Sequence, residues 1–368
     1  MANRSKPPFR SDHVGSLLRP KSITDAFKKL HTGEINEDDV TAIQDEAIKD
    51  VIALQESVGL EAIPDGEFRR ASYWSSFVER VNGLEVGKAL FTFHDDHGHE
   101  QEFTAPIVAT KVSRTTPIAG DEFEFLQANT GKTPKTTIVS PPTMHMFRLD
   151  QTIEAGVYDS TKDYFADLAQ VYREEIKALA DAGSTYIQLD DVPIPMLSDP
   201  NVHARVKENG IDPAQLMNDY VDLFNDCLRD RPDSVTIAVH MCRGNYKGKF
   251  LSEGGYETFA EKFFNDLNVD AFFLEYDSPR AGDFAPLKYV PKDKMVVLGL
   301  VSSKTPEMES QDELRARIDE AAKFIDLDQL GLSPQCGFAS TVAGNPVTVA
   351  DEKAKLAMIV EVADKVWN

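Results

Sequence analysis

Basic charge is what this chain lacks most. Lysine and arginine number 39 against 61 aspartates and glutamates, a formal net charge of −22. A balance this negative repels nucleic-acid phosphates and anionic lipid surfaces, so neither a nucleic acid nor a membrane is an expected partner. Cysteine is scarce too. Cys227, Cys242 and Cys336 are odd in number and widely spaced, which excludes a disulfide framework and leaves thiolates free for metal binding or catalysis. Long apolar runs are absent: the opening MANRSKPPFRSD has no signal-peptide core, and nothing approaches the length that spans a bilayer. The expectation is a cytoplasmic protein. No Gly-rich phosphate loop follows any strand-like run, which weakens a nucleotide-binding, doubly wound sheet.

What is present is a rhythm. The 368 residues suffice for one large α/β barrel with insertions or for two ordinary domains. Strand-like runs fall near residues 14, 63, 138, 187, 238, 273, 297 and 331, and helical patterns separate them. In one, Val40, Ile43, Ala47, Val51, Leu54 and Val58 recur at steps of three and four until Gly59 stops them. Others run from about Thr161 to Ala182 and from Val349 to Val366. Eight strands each followed by a helix predict a (β/α)8 TIM barrel, one domain over 1–368. Between 84 and 117 the rhythm breaks, and Phe91, Phe93, Phe103, Ile107 and Val108 alternate around a polar turn. That predicts a β-hairpin excursion after the second strand, whose tip histidines His94, His97 and His99 read as solvated rather than metal-binding.

The barrel reading gives meaning to the strand ends, which all open on one face. Thr236–Val239 is an apolar, partly β-branched run that ends in His240, Met241 and Cys242. Residues i and i+2 of a strand point the same way, so His240 and Cys242 can converge on one ion, although both residue types are also often simply buried. Ala271–Leu274 ends in Glu275, and Cys336 follows the run at 330–332. Thiolate, imidazole and carboxylate make a tetrahedral zinc set, so His240, Cys242, Glu275 and Cys336 are candidate ligands. For Glu275 the competing reading is an ion pair with Arg243 or Arg280. Ser16, Glu67 and Asp190 end other strands on that face.

Six motifs carry a resemblance. HVGSLLRP, IPDGEFRR, YIQLDD, VHMCRGNY, FFLEYDSPR and LSPQCGF, in that order, resemble the catalytic half of cobalamin-independent methionine synthase and its shorter relatives. The resemblance implies a (β/α)8 barrel holding a Zn2+ ion that activates homocysteine for methyl transfer. It implies His240, Cys242, Glu275 and Cys336 as the zinc ligands. It further implies that Glu67 and Asp190 grip the substrate ammonium and that the backbone at Ser16 meets its carboxylate. The oligomeric state stays open, a homo-oligomer included.

The chain departs from the family at three places. The resemblance covers the catalytic half alone, so the duplicated N-terminal barrel of the full-length enzyme is not expected here. SPPTMHMF puts Phe147 or a neighbour where the family stacks a tryptophan on a pterin. Lys304, Thr305 and Pro306 stand where the family has an HSP motif, whose histidine is a proposed proton donor. Lys304 is therefore a candidate general acid, with a solvated loop lysine as the other reading. The expected partners are a small-molecule thiol, homocysteine, and a methyl donor, either a methyl-tetrahydrofolate or a methyl-corrinoid. Two other readings remain open: alkyl transfer to another thiol, as in coenzyme M transferases, and a non-catalytic zinc barrel. A carboxylate pair suits an ammonium-bearing thiol and repels a sulfonate.

Overall fold

The computed structural model describes residues 4–368. Six parallel strands run in sequence order, each hydrogen-bonded to the next: Thr136–Val139, Tyr186–Asp191, Thr236–Met241, Ala271–Glu275, Met295–Val301 and Leu330–Pro334. All are short and buried on both faces, which is why they read as continuous apolar runs rather than alternating ones. Ala62–Ile63 pairs in parallel with Thr133–Pro134, at the start of the third stave. The first stave is not a strand. Residues near 10–12 run alongside the last strand, with Asp12 N donating to Leu332 O at 3.1 Å and Leu332 N to Arg10 O at 2.8 Å.

This is a (β/α)8 barrel whose staves follow one another in order but are not closed by a continuous hydrogen-bond ladder. The strand expected near residue 14 does not form, and the contact responsible lies far along the chain. Gly15 takes φ +137°, and a Cβ there would lie 2.6 Å from the Thr137 side chain. The chain turns inward at that point, and Leu17 reaches the second stave through one bond, its N–H to Gly66 O at 3.1 Å.

The barrel floor is filled by Phe9, Ala62, Tyr186, Ala238, Ala271, Phe273, Met295 and Val297. Among them lies a fully buried ion pair, Lys135 Nζ to Asp12 Oδ1 at 3.0 Å, with Tyr186 OH donating to Asp12 Oδ2 at 2.8 Å. The ammonium also sits 4.2 Å from the centre of the Phe273 ring. Buried charges survive there because several partners share the desolvation cost. Long amphipathic helices cover the outside, including Glu37–Ser57, capped by Asn36, and Thr161–Asp181, capped by Ser160. Gly120–Asn129, which supplies the helix before the third stave, has no side-chain cap. Among the described residues no helix is long and apolar enough to cross a membrane.

The expected hairpin is formed by Val81–Lys88 and Thr104–Arg114, antiparallel, with a bulge between Asn82 and Leu84. Gly83 occupies the bulge at φ +90°, where a Cβ would meet Thr110 O at 2.6 Å. The tip folds back over the barrel mouth. His94 and Phe250 exchange backbone hydrogen bonds of 2.8 and 3.0 Å, and Asp95 pairs with Lys249. His99 bonds Asp95 in solvent, and the tip histidines form no metal-binding group among the described residues.

Candidate active site at the barrel mouth

The Thr236–Met241 strand points Ala238 and His240 into the barrel, and Cys242 continues that parity one step past the strand end. Cys336 arrives from the turn after Leu330–Pro334. Donor atoms of His240, Cys242 and Cys336 all lie within 4.8 Å of one another, and all three residues are buried. Cys336 Sγ stands 3.7 Å from Cys242 Sγ. The contact between the two sulfurs holds the Cys336 thiol well below the usual thiol range, with His240 adding to that, and pushes Cys242 well above it. Burial pulls His240 down, but the neighbouring Cys336, Asp190 and Glu275 outweigh it and raise its pKa.

This group fits a zinc ion. Both ring nitrogens of His240 are buried without a hydrogen-bond partner, a costly state unless something ligates them. Two sulfurs and one imidazole are the donors zinc prefers. Glu275, the fourth ligand expected from the sequence, stands outside this group. Its Oε2 accepts the Arg243 backbone N–H at 2.7 Å, and its Oε1 lies 3.3 Å from Lys304 Nζ. The ion pair weighed against metal binding therefore exists, but with Lys304. The Arg243 guanidinium instead bonds Gly254 O at 2.7 Å and lies over the Tyr256 ring, and Arg280 lies over Phe250.

Lys304 is not a solvated loop residue. It is 8% exposed, and although burial pulls its pKa down, Glu275 and Asp277 outweigh that and raise it. The lysine expected as general acid stands 3.3 Å from Glu275.

Glu67 and Asp190 line the same cavity as the sulfurs. Glu67 takes φ +61°, a conformation that costs a non-glycine residue about 1–3 kcal/mol and is kept where the surroundings enforce it. Its N–H donates to Asp65 Oδ1 at 2.8 Å, and its carbonyl accepts Arg19 at 2.7 Å. The carboxylate takes the Thr137 hydroxyl at 2.8 Å on Oε1, while Oε2 is buried without a partner. Asp190 Oδ1 accepts Gln188 Nε2 at 2.7 Å. Burial, and then the Glu67 charge, push the Asp190 carboxyl up to about 7. Asp191 is pushed to about 7 by burial as well, but its Oδ1 is committed to the Ile194 N–H at 2.8 Å. Glu67 Oε1 also lies 3.6 Å from the Arg70 guanidinium, whose shorter ion pair is with Glu122, so Oε2 is the Glu67 oxygen left without a partner.

Ser16, Glu67, Asp190, His240, Cys242 and Cys336 share one cavity of about 40 Å³. Ser16 accepts the Phe338 N–H at 2.9 Å through its carbonyl, and Gly337 permits that approach, since a Cβ there would sit 1.9 Å from Ser16 Oγ. The cavity adjoins a second pocket of about 280 Å³ lined by Tyr73, Trp74, Phe93, Phe103, Phe147 and Tyr246. Phe147 is buried there, edge-on to Phe103 at 5.0 Å. Tyr73, Phe93, Asn245 and Ser340 line both spaces. Sequence reasoning assigned no role to Tyr73, Asn245 or Ser340. Their one signal is adjacency to the motifs, Asn245 lying within VHMCRGNY. The Tyr73 hydroxyl and Asn245 Oδ1 are buried without partners, which marks this wall as ligand-facing.

Comparison with known proteins finds matches along nearly the whole chain. A family model described as cobalamin-independent synthase, catalytic domain, matches residues 9–365. The uncharacterised protein YxjH of Bacillus subtilis is 39% identical over 367 residues, 99% of this chain and 96% of that protein. A methionine synthase of Sulfurisphaera tokodaii is 24% identical over 326 residues, 88% of this chain and 84% of that protein. A crystal structure from Listeria monocytogenes, provisionally assigned as a vitamin-B12-independent methionine synthase, superposes with a TM-score of 0.79 at 33% identity, covering 99% of this chain and 100% of that one.

Proposed function

We propose, from the family to which this chain belongs, the cobalamin-independent synthase catalytic domain, that it transfers a methyl group from a donor to the thiol of homocysteine, giving methionine. The observation that carries the reading is one cavity lined by a His/Cys/Cys group and by two buried carboxylates, Glu67 with one oxygen unpartnered and Asp190. His240, Cys242 and Cys336 would hold the zinc, with Glu275 behind them. Zinc bound there would favour the thiolate form of a thiol, which is the nucleophilic form. Glu67 Oε2, the oxygen without a partner, and Asp190 would take the substrate ammonium. The backbone at Ser16 would meet the substrate carboxylate. Held at both ends, the thiol is fixed in direction toward the donor.

The donor reading rests on the neighbouring aromatic pocket, which opens into the cavity past Tyr73 and Phe93 and suits a flat ring system. A methyl-tetrahydrofolate or a methyl-corrinoid both present one. The hairpin supplies Phe93 and Phe103 to this pocket and screens the site from water. A sulfonate thiol is disfavoured by the Glu67 and Asp190 pair, which argues against coenzyme M-type alkyl transfer. We place the protein in the cytoplasm, where such substrates occur.

The test is methionine formation by zinc-loaded protein from homocysteine with mono- and polyglutamylated methyl-tetrahydrofolate and with methylcobalamin. Turnover with one of these donors is expected. Alkylation of amino-free thiols at the same rate as homocysteine, without methionine formation from any donor, would defeat the proposal.

A further inference from the structure

Glu275 keeps more partners than a free metal ligand does. Its carboxylate is fully buried, with Oε2 taken by the Arg243 N–H at 2.7 Å and Oε1 3.3 Å from the Lys304 ammonium. The three residues in front of it behave otherwise: the His240 nitrogens have no partner, and the two sulfurs face each other. Lys304 is also fixed at its base. Ser303 N donates to Gln335 Oε1 at 2.8 Å and Ser303 Oγ to Gly337 O at 2.9 Å, so the lysine hangs from the same turn that carries Cys336.

We infer, resting on the zinc reading above, that Lys304 is a positioning residue that holds Glu275 off the metal, leaving three resident protein donors and a fourth position for the substrate thiol. The argument is one of competing cations. A carboxylate neutralised by an ammonium on one oxygen and an amide on the other has little charge left to offer, and drawing it onto zinc would bring the ammonium toward a dication. Catalytic zinc sites keep three protein ligands and an open position, and His240, Cys242 and Cys336 supply that number unaided. Arg243 and Lys304 then keep the negative charge of Glu275 close to the site without filling the coordination shell.

The experiment is a double-mutant cycle in zinc affinity, read by competition with a chromophoric chelator on wild type, Glu275→Gln, Lys304→Met and the double variant. Glu275→Gln alone should change affinity by less than about ten-fold. Lys304→Met should tighten zinc by more than about ten-fold, because Glu275 is then free to ligate, and the double variant should lose that gain. A loss beyond ten-fold from Glu275→Gln alone, or no tightening in Lys304→Met, overturns the inference. Lys304→Gln carries the same test if the methionine variant does not fold. Wild-type protein that binds no zinc would overturn the underlying metal reading, whereas zinc binding that collapses in Glu275→Gln overturns only the role given to Lys304.

Discussion

Asp190 and His240 are direct partners in the parallel ladder between Tyr186–Asp191 and Thr236–Met241. One backbone register therefore sets the distance between the acid side of the cavity and the His/Cys/Cys side. His240 is also opposite Phe273, two residues before Glu275. A slip of one residue would present Leu189 or Met241 to the cavity instead, so the site is as firmly specified as the barrel core beneath it.

Glu67 and Asp190 should govern recognition of the amino acid and not of the metal. Losing one partner of a buried charged hydrogen bond costs on the order of 2–5 kcal/mol, which is tens to thousands of fold in affinity. Glu67→Gln and Asp190→Asn should weaken homocysteine by such factors, leave zinc in place, and matter far less for 3-mercaptopropionate. Isothermal titration with the two thiols checks this, and equal losses for both would assign these acids elsewhere.

Cys242→Ser and Cys336→Ser should each lower zinc retained after dialysis by roughly ten-fold or more, since hydroxyl oxygen is a poorer match than thiolate. Cys227→Ser is the control: that thiol is buried, and burial pushes its pKa well up. Metal analysis showing full occupancy in the first two variants would remove the site.

How much of this was readable in the chain depends on how local the cause is. The strands near 138, 187, 238, 273, 297 and 331 are apolar on both faces and stand out as runs, and the residues that end them follow at once. The first stave was not readable, because its failure to pair depends on Gly15 meeting Thr137, far along the chain. The Gly120–Asn129 helix escaped because it opens on a glycine behind an uncapped alanine, without a start signal. The Lys304 to Glu275 contact spans 29 positions, and nothing local marks a lysine as buried. The aromatic pocket gathers side chains from the hairpin, from Tyr73 and from Phe147, which only the fold brings together.

Phe147→Leu should act on the donor alone. The ring is buried against Phe103 at the wall of the second pocket, away from the sulfurs, and an aromatic pair contributes about 0.5–1.5 kcal/mol beyond its burial. A rise in the donor KM of about two- to ten-fold is expected, with the homocysteine KM unchanged. A matching rise for homocysteine would mean that Phe147 shapes the thiol cavity instead.

A buried acid away from the site predicts a pH dependence of stability. Glu352, 1% exposed in the last helix, accepts the Leu18 N–H at 2.8 Å through Oε2. Burial outweighs that bond and pushes its carboxyl up to about 8 from an ordinary 4.5. The folded pKa is thus raised for an acid, so the folded state keeps a proton that the unfolded chain gives up. Stability is full below the unfolded pKa, falls as pH rises between the two values, and levels off above about 8. Glutamine retains an acceptor for Leu18 and cannot ionise. Glu352→Gln should therefore match wild type near pH 4 and exceed it at pH 8 by an amount on the order of 3 kcal/mol, with most of the difference appearing between pH 5 and 8. Thermal midpoints of both proteins across that range decide the matter: curves that stay parallel from pH 4 to 8 would show that Glu352 ionises in the fold as freely as in the unfolded chain.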